Sequence, residues 1–288
     1  MSDHLLAAVD GSAQSIAAAR WAAAEAVRHG LPLRLVHAQT WLDDLHADPG
    51  RPADIRALTT RMLADAKQTV QTTHPALEIR AELLGGGDPV DVLTAAAAKA
   101  RMLVLGSRGL GGFGGLLVGS VGLAVTARCD APTVLVRAEG PRRPGHRDGG
   151  EVVVGVDTRA PAAEVLGFAF REASLRGSRV RAVHGWTPPP VWGYAGWVPP
   201  QPEAEQFRAI EDELLTLAMT GWQEKHPEVE LVRDIRTGSG SAALVDACTG
   251  ADLVVVGRRR HHGGMRLGPV AHAVLHHAQA PVVVVPHD

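Results

Sequence analysis

Short apolar runs recur along the chain at regular intervals. In the first half they fall at Leu5–Val9, Leu33–Val36, Glu78–Leu83, Met102–Leu105 and Thr133–Val136. Runs this short with little polar alternation fit strands buried on both faces. Between them lie alanine-rich stretches long enough for helices, such as Ser15–His29 and Ile55–Thr73. Strands alternating with helices predict an α/β fold with a parallel sheet covered on both sides. Asp88-Pro89 marks one helix start, an N-cap followed by proline at the first helical position. Right-handed crossovers leave few topologies, and the doubly wound order 3-2-1-4-5 is the natural one for five strands. Ligands of such sheets sit beyond the carboxyl ends of the strands where the order reverses, here the first and fourth. Those strands run out at Asp10 and Gly106.

The second half repeats the pattern. "LLAAVDGSAQSIAAARWAAAEAVRHGLPLRLVHAQTW" matches "VVVGVDTRAPAAEVLGFAFREASLRGSRVRAVHGWTP", with Asp157 and His184 each 147 residues beyond Asp10 and His37. "ARMLVLGSRG" matches "ADLVVVGRRR", and "CDAPTVLVR" matches "AQAPVVVVP". A repeat of this length means two copies of one domain, not a solenoid. The expected organisation is a domain over residues 1–138, a Pro/Gly/charge-rich linker over 139–150, and a second domain over 151–288.

Composition narrows the classes. Apolar residues make up 45% of the 288, charged residues 21%, and the net charge is −2, without the basic excess of a general nucleic-acid binder. Cys129 and Cys248 fit neither a zinc spacing nor a C-x-x-C motif and are expected to be small buried residues. Neither a signal-peptide pattern nor an apolar run of spanning length is present, so a cytoplasmic protein without membrane contact is expected.

The candidate chemistry lies in "VLGSRGLGGFGGLLVGS", Val104 to Ser120, with seven glycines in seventeen residues. Such a loop can turn backbone N–H groups toward an anion, and Ser120 is placed to cap the next helix, whose N-terminus favours phosphate. Gly106, Gly109, Gly119 and Ser120 reproduce G-x2-G-x9-G-[ST]. With "VDGS", "LVHA" and "AP-TVLV" in the same order, the chain resembles the ATP-binding universal stress proteins over both halves. The resemblance implies tandem Rossmann-like domains and ATP with Mg²⁺ as the ligand. It implies that Asp10 contacts the adenosine portion and that Ala8 and Ala38 line the adenine pocket. Leu105, Gly106, Gly109, Gly119, Ser120 and Val121 match the segment gripping ribose and phosphates. Arg108 lies inside the loop, where it can add charge-assisted bonds to phosphate or remain an exposed arginine. No protein ligand for the metal and no catalytic residue is assigned.

The second copy departs from the motif. Gly257 remains, but Arg260 stands in place of the second glycine, Pro269 in place of the serine, and the stretch before Gly268 is two residues shorter. Either this half has lost nucleotide and serves structurally, the favoured reading, or Arg258, Arg259, Arg260, His261 and His262 hold an anion by charge. His272 and His276, spaced i, i+4, are expected to be ordinary polar residues. The Pro/Trp-rich stretch over 187–202 is either a partner-binding lid or a semi-rigid covering loop.

No P-loop is present and none of the three lysines lies in either glycine loop. A nucleotide-dependent regulator of the stress response is expected. Slow ATP turnover and an interaction module with no nucleotide requirement are the alternatives. The family's antiparallel pairing of final strands implies intramolecular pairing of Thr133–Val136 with Val282–Val285, and leaves room for a homodimer of two chains.

Overall fold

In a computed structural model of the chain, residues 4–39, 51–109, 118–138, 150–187, 201–260 and 267–288 are described, the side chains of 51–55 and 201–204 excepted. The chain divides into two compact units, with every described residue through 138 in the first and every one from 150 onward in the second.

The first unit contains β1 (His4–Ala8), α1 (Ala13–His29), β2 (Leu33–Ala38), α2 (Arg51–Thr73), β3 (Ile79–Leu84), α3 (Pro89–Ala97), β4 (Ala100–Gly106), α4 (Ser120–Arg128) and β5 (Thr133–Val136). Its strands lie in the order β3-β2-β1-β4-β5, all parallel, with Ala7 opposite both Leu35 and Val104. Leu5, Leu6, Leu33, Leu35, Met102, Leu103 and Val104 are fully buried, which explains the unbroken apolar runs. Helix α1 meets the sheet through Ala18, Ala19, Ala22, Ala23 and Ala26, small enough for close approach.

The second unit contains β6 (Glu151–Gly155), α5 (Ala163–Arg176), β7 (Arg179–Trp186), α6 (Gln201–Lys225), β8 (Leu231–Thr237), α7 (Gly240–Ala247), β9 (Leu253–Arg259), α8 (Pro269–His277) and β10 (Val282–His287). Its order, β8-β7-β6-β9-β10, is the same doubly wound arrangement, again parallel. The duplication extends to the caps. Helices α1 and α5 both end on a left-handed glycine, Gly30 and Gly177, each with φ of 61° and 147 residues apart.

Local signals act as read from the sequence. Asp88 caps α3 by accepting from Val90 N at 2.8 Å, with Pro89 opening the helix. At α1 the cap is Ser12, which accepts from Ser15 N at 3.1 Å. Helix α2 starts four residues before the expected Ile55, and β4 extends to Ala100 and Gly106 on either side of its apolar run. No helix among the described residues is long and apolar enough to cross a membrane.

Candidate functional site

Beyond the carboxyl end of β1, Asp10 sits in a turn that fixes one carboxylate oxygen. Its Oδ1 accepts from Ser12 N at 3.0 Å and from Ser12 Oγ at 2.6 Å. The Ser12 hydroxyl also reaches the Arg108 carbonyl at 3.3 Å, tying the β1 turn to the residues after β4. Oδ2 faces Gly109, where a Cβ would lie 2.5 Å from it. A side chain at 109 would push Asp10 out of its place.

The three motif glycines have different reasons. A Cβ at Gly106 would stand 2.8 Å from Gln14 C and Ser15 N, so this glycine lets β4 pass under the first turn of α1. Gly109 makes room for Asp10. Gly119 has no such neighbour. Its φ is −76°, open to any residue, and a Cβ there would meet nothing closer than 3.7 Å. Nothing in the described structure requires glycine at 119.

The helix that follows corrects one expectation. Gly119, not Ser120, is the N-cap of α4. Its backbone is extended and its carbonyl already accepts from Leu123 N at 3.0 Å, so Ser120 is the first helical residue. No side chain caps this terminus. Ser120 and Val121 are exposed, and the first-turn N–H groups of α4 keep their partial positive charge.

Positive charge gathers at the same edge. Ser107 N donates to Val136 O at 2.7 Å, so Arg108 and Arg137 leave adjacent strand ends. Burial, and then the neighbouring charge of Arg108, lower the Arg137 guanidinium below its ordinary value. The Arg108 Nε is buried with no hydrogen-bond partner among the described residues. Leu105 is buried beneath Gly106, while Ala8 and Ala38 are half-buried at the ends of β1 and β2. Every candidate residue of the first copy therefore lies at the carboxyl edge of β1, β2 and β4 or at the start of α4. Residues 110–117 of the glycine loop fall outside the described residues.

In the second unit side chains fill the corresponding edge. Asp157 accepts from Arg159 N at 3.1 Å through Oδ1, as Asp10 does from Ser12. Its Oδ2, however, is 3.5 Å from Arg259 Nη2. Arg260, in the place of Gly109, pairs with Asp288 at 3.1 Å. Arg159 reaches Glu211 on α6 at 3.2 Å, and the other Glu211 oxygen lies 3.1 Å from His184 Nε2. His184 and Glu211 are both buried. Gly257 leaves space for the His287 ring, whose Nε2 would be 2.7 Å from a Cβ there. Pro269 opens α8 behind Gly268 and supplies neither hydroxyl nor N–H.

Elsewhere, His272 and His276 share a face of α8 with ring centroids 4.5 Å apart. Both cysteines are buried thiols outside any disulfide. His261, His262 and residues 188–200 of the Pro/Trp-rich stretch lie outside the described residues. Sequence reasoning missed Arg137 and Glu211. Their roles come from neighbours distant in the chain, and only the Arg after the last apolar run left a local trace.

Two tandem doubly wound α/β domains, the first with an uncapped helix N-terminus beyond the strand ends where its order reverses, define the class of fold. The universal stress protein family model matches residues 1–137 and again 150–286. A universal stress protein of Mycobacterium tuberculosis is 32% identical over 96% of this chain and 94% of its own length. One from Mycolicibacterium smegmatis is 33% identical over 98% and 96%. The chain belongs to the universal stress protein family. Its fold matches the crystal structure of a universal stress protein from Archaeoglobus fulgidus over the full length of both chains, with a TM-score of 0.69 at 17% identity. A shorter universal stress protein, solved in complex with cAMP, aligns with 48% of the chain and 98% of its own at 25% identity and a TM-score of 0.39.

Proposed function

We propose that the first unit binds ATP together with Mg²⁺ and that the protein acts as a nucleotide-dependent regulator in the stress response. The carrying observation is Gly119. It is a glycine that neither its backbone angles nor any described neighbour requires, at the uncapped start of a helix. A group that must approach the backbone closely accounts for it, and a phosphate is what a helix N-terminus prefers. The residues fit such a group. The first-turn N–H groups of α4 and the Arg108 and Arg137 guanidiniums supply donors and charge for phosphates. Asp10 supplies an acceptor for ribose hydroxyls or the base. Mg²⁺ would accompany the phosphates and offset their charge.

The second unit on this reading holds no nucleotide. Arg259, Arg159 and Glu211 occupy its site with ion pairs among themselves, Asp157 and His184, so an anion would have to displace a carboxylate from each arginine. One further part completes the proposal: the protein works in the cytoplasm.

The test is to denature the purified protein and identify the released nucleotide against protein concentration. One ATP per chain is expected. Two per chain would overturn the account of the second unit. cAMP in its place would overturn the triphosphate. No nucleotide, with no binding of added ATP and Mg²⁺, would leave an interaction module.

A further inference from the structure

Helices α4 and α8 hold the same place in the two units, and one face of each differs. Each starts behind a glycine N-cap, Gly119 and Gly268, 149 residues apart. Each buries one valine completely, Val125 and Val274, and ends on a cap whose N–H donates to that valine's carbonyl. The match sets Leu123 against His272 and Ala127 against His276. The first unit therefore clothes this face with aliphatic side chains, and the second with two imidazoles. Leucine and alanine are also the better helix formers, so the exchange runs against local propensity.

Residues four apart on a helix lie on one face, one turn above the other. His272 is exposed and His276 half-buried, and their ring centroids stand 4.5 Å apart with 33° between the ring planes. A shared metal ion sets a distance against which this can be judged. An imidazole nitrogen binds zinc at about 2.0–2.1 Å and the ring centroid lies about 1.1 Å further on, so metal to centroid is about 3.2 Å. Two such ligands at an angle of about 90–110° hold their centroids about 4.5–5.2 Å apart. The observed separation falls at the near end of that range, so the helix backbone need not move to bring both rings onto one ion. His276 and His277 are the basic residues of the last turn of α8, where the carbonyl end of a helix favours a cation.

We propose that His272 and His276 form a chelate site on α8 for a divalent transition-metal cation of the zinc type, with water completing its coordination shell. Neutral imidazole suits zinc, nickel and copper, whereas magnesium and calcium take oxygen ligands. Two protein ligands leave the ion open to exchange, unlike the closed four-ligand sites that hold a fold together. The site belongs to the second unit alone, since Leu123 and Ala127 offer no ligand atom. It does not rest on the nucleotide reading of the first unit. It gives the second unit a ligand of its own where the glycine motif is broken.

The experiment is equilibrium dialysis of the full chain against Zn²⁺ at mildly alkaline pH, without nucleotide. Wild type is expected to hold one more zinc ion per chain than His272→Leu or His276→Ala. Both variants carry what the first unit has at the same place, and thermal midpoints without metal check that they fold. His272→Gln and His276→Gln, closer in shape, repeat the comparison. Losing one of two ligands should weaken the site by at least about 10- to 100-fold, the cost of losing an outer-shell partner alone. On wild type, Ni²⁺ should displace the bound zinc and Mg²⁺ should not. Wild type that takes up no zinc, folded variants that bind as much as wild type, or displacement by an equal concentration of Mg²⁺ overturns the assignment.

Discussion

Replacing Gly119 with alanine separates a glycine kept for a ligand from one kept for the fold. The backbone at 119 has φ −76° and ψ 154°, and the new Cβ would find its nearest neighbour, Arg108 Cα, at 3.7 Å. Two small effects oppose each other. Alanine restricts the unfolded chain, a gain of about 0.4–1 kcal/mol. It is also a poorer N-cap than glycine, a loss of about 0.5–1 kcal/mol. The net change should stay within about 0.5 kcal/mol, a shift in thermal midpoint of no more than about 2 °C. Binding should respond differently, because the methyl stands where the backbone must be approached. Losing one charge-assisted hydrogen bond of about 1.5–3 kcal/mol weakens ATP by roughly 10- to 100-fold. Gly106→Ala is the contrasting control. Its Cβ would be 2.8 Å from backbone atoms of Gln14 and Ser15, which cannot rotate away, and overpacking of that kind costs about 1–3 kcal/mol. Differential scanning fluorimetry and calorimetry on both variants decide the matter. A Gly119→Ala protein that loses several degrees of stability, or binds ATP within about twofold of wild type, would refute the reasoning.

Three other outcomes are expected. Glu211→Ala leaves the buried His184 without its partner and should cost about 1–3 kcal/mol in urea unfolding, whereas Arg159→Ala should stay within about 1 kcal/mol because that side chain is 73% exposed. Asp234 is held below the usual carboxylate range, first by its hydrogen bond from Arg236 and then by Arg181, against the opposing pull of burial. A depressed carboxyl stabilises above its unfolded value of about 3.9 and loses that contribution as pH falls through the folded value. The thermal deficit of Asp234→Asn should therefore be full at neutral pH and shrink below about pH 4. Burial pushes the Cys248 thiol up to about 12, and Cys129 is buried as well. A colorimetric thiol reagent at mildly alkaline pH should find neither cysteine until denaturant is added.

The strand order was legible because each apolar run reports a strand with two covered faces, and Asp88-Pro89 reports a helix start through its own backbone. Element ends were less so. Arg51–Asp54 begin α2 with polar and small residues and a proline, which carry no periodic apolar signal. Glu78 falls outside β3 because only its neighbours decide where pairing begins. At the site, the motif names the glycines without distinguishing them. Gly106 answers to the first turn of α1 and Gly109 to Asp10, while Gly119 answers to no neighbour among the described residues. Ser120 was misplaced by one position because glycine and serine both serve as caps, and the choice is made by backbone angles. The His184–Glu211–Arg159 network joins residues from three separate elements, a meeting that no local spacing encodes.

That network bears on how such a site could ever be regained. Reopening it unpairs a buried group. Without Glu211, His184 is left with one satisfied nitrogen. Arg260 and Pro269 would still bar the backbone from a ligand. On the proposed reading, selection acting on one substitution at a time meets the cost of an unpaired His184 and gains no binding until several changes are complete, so the buried pair works as a ratchet on one of two duplicated starting points.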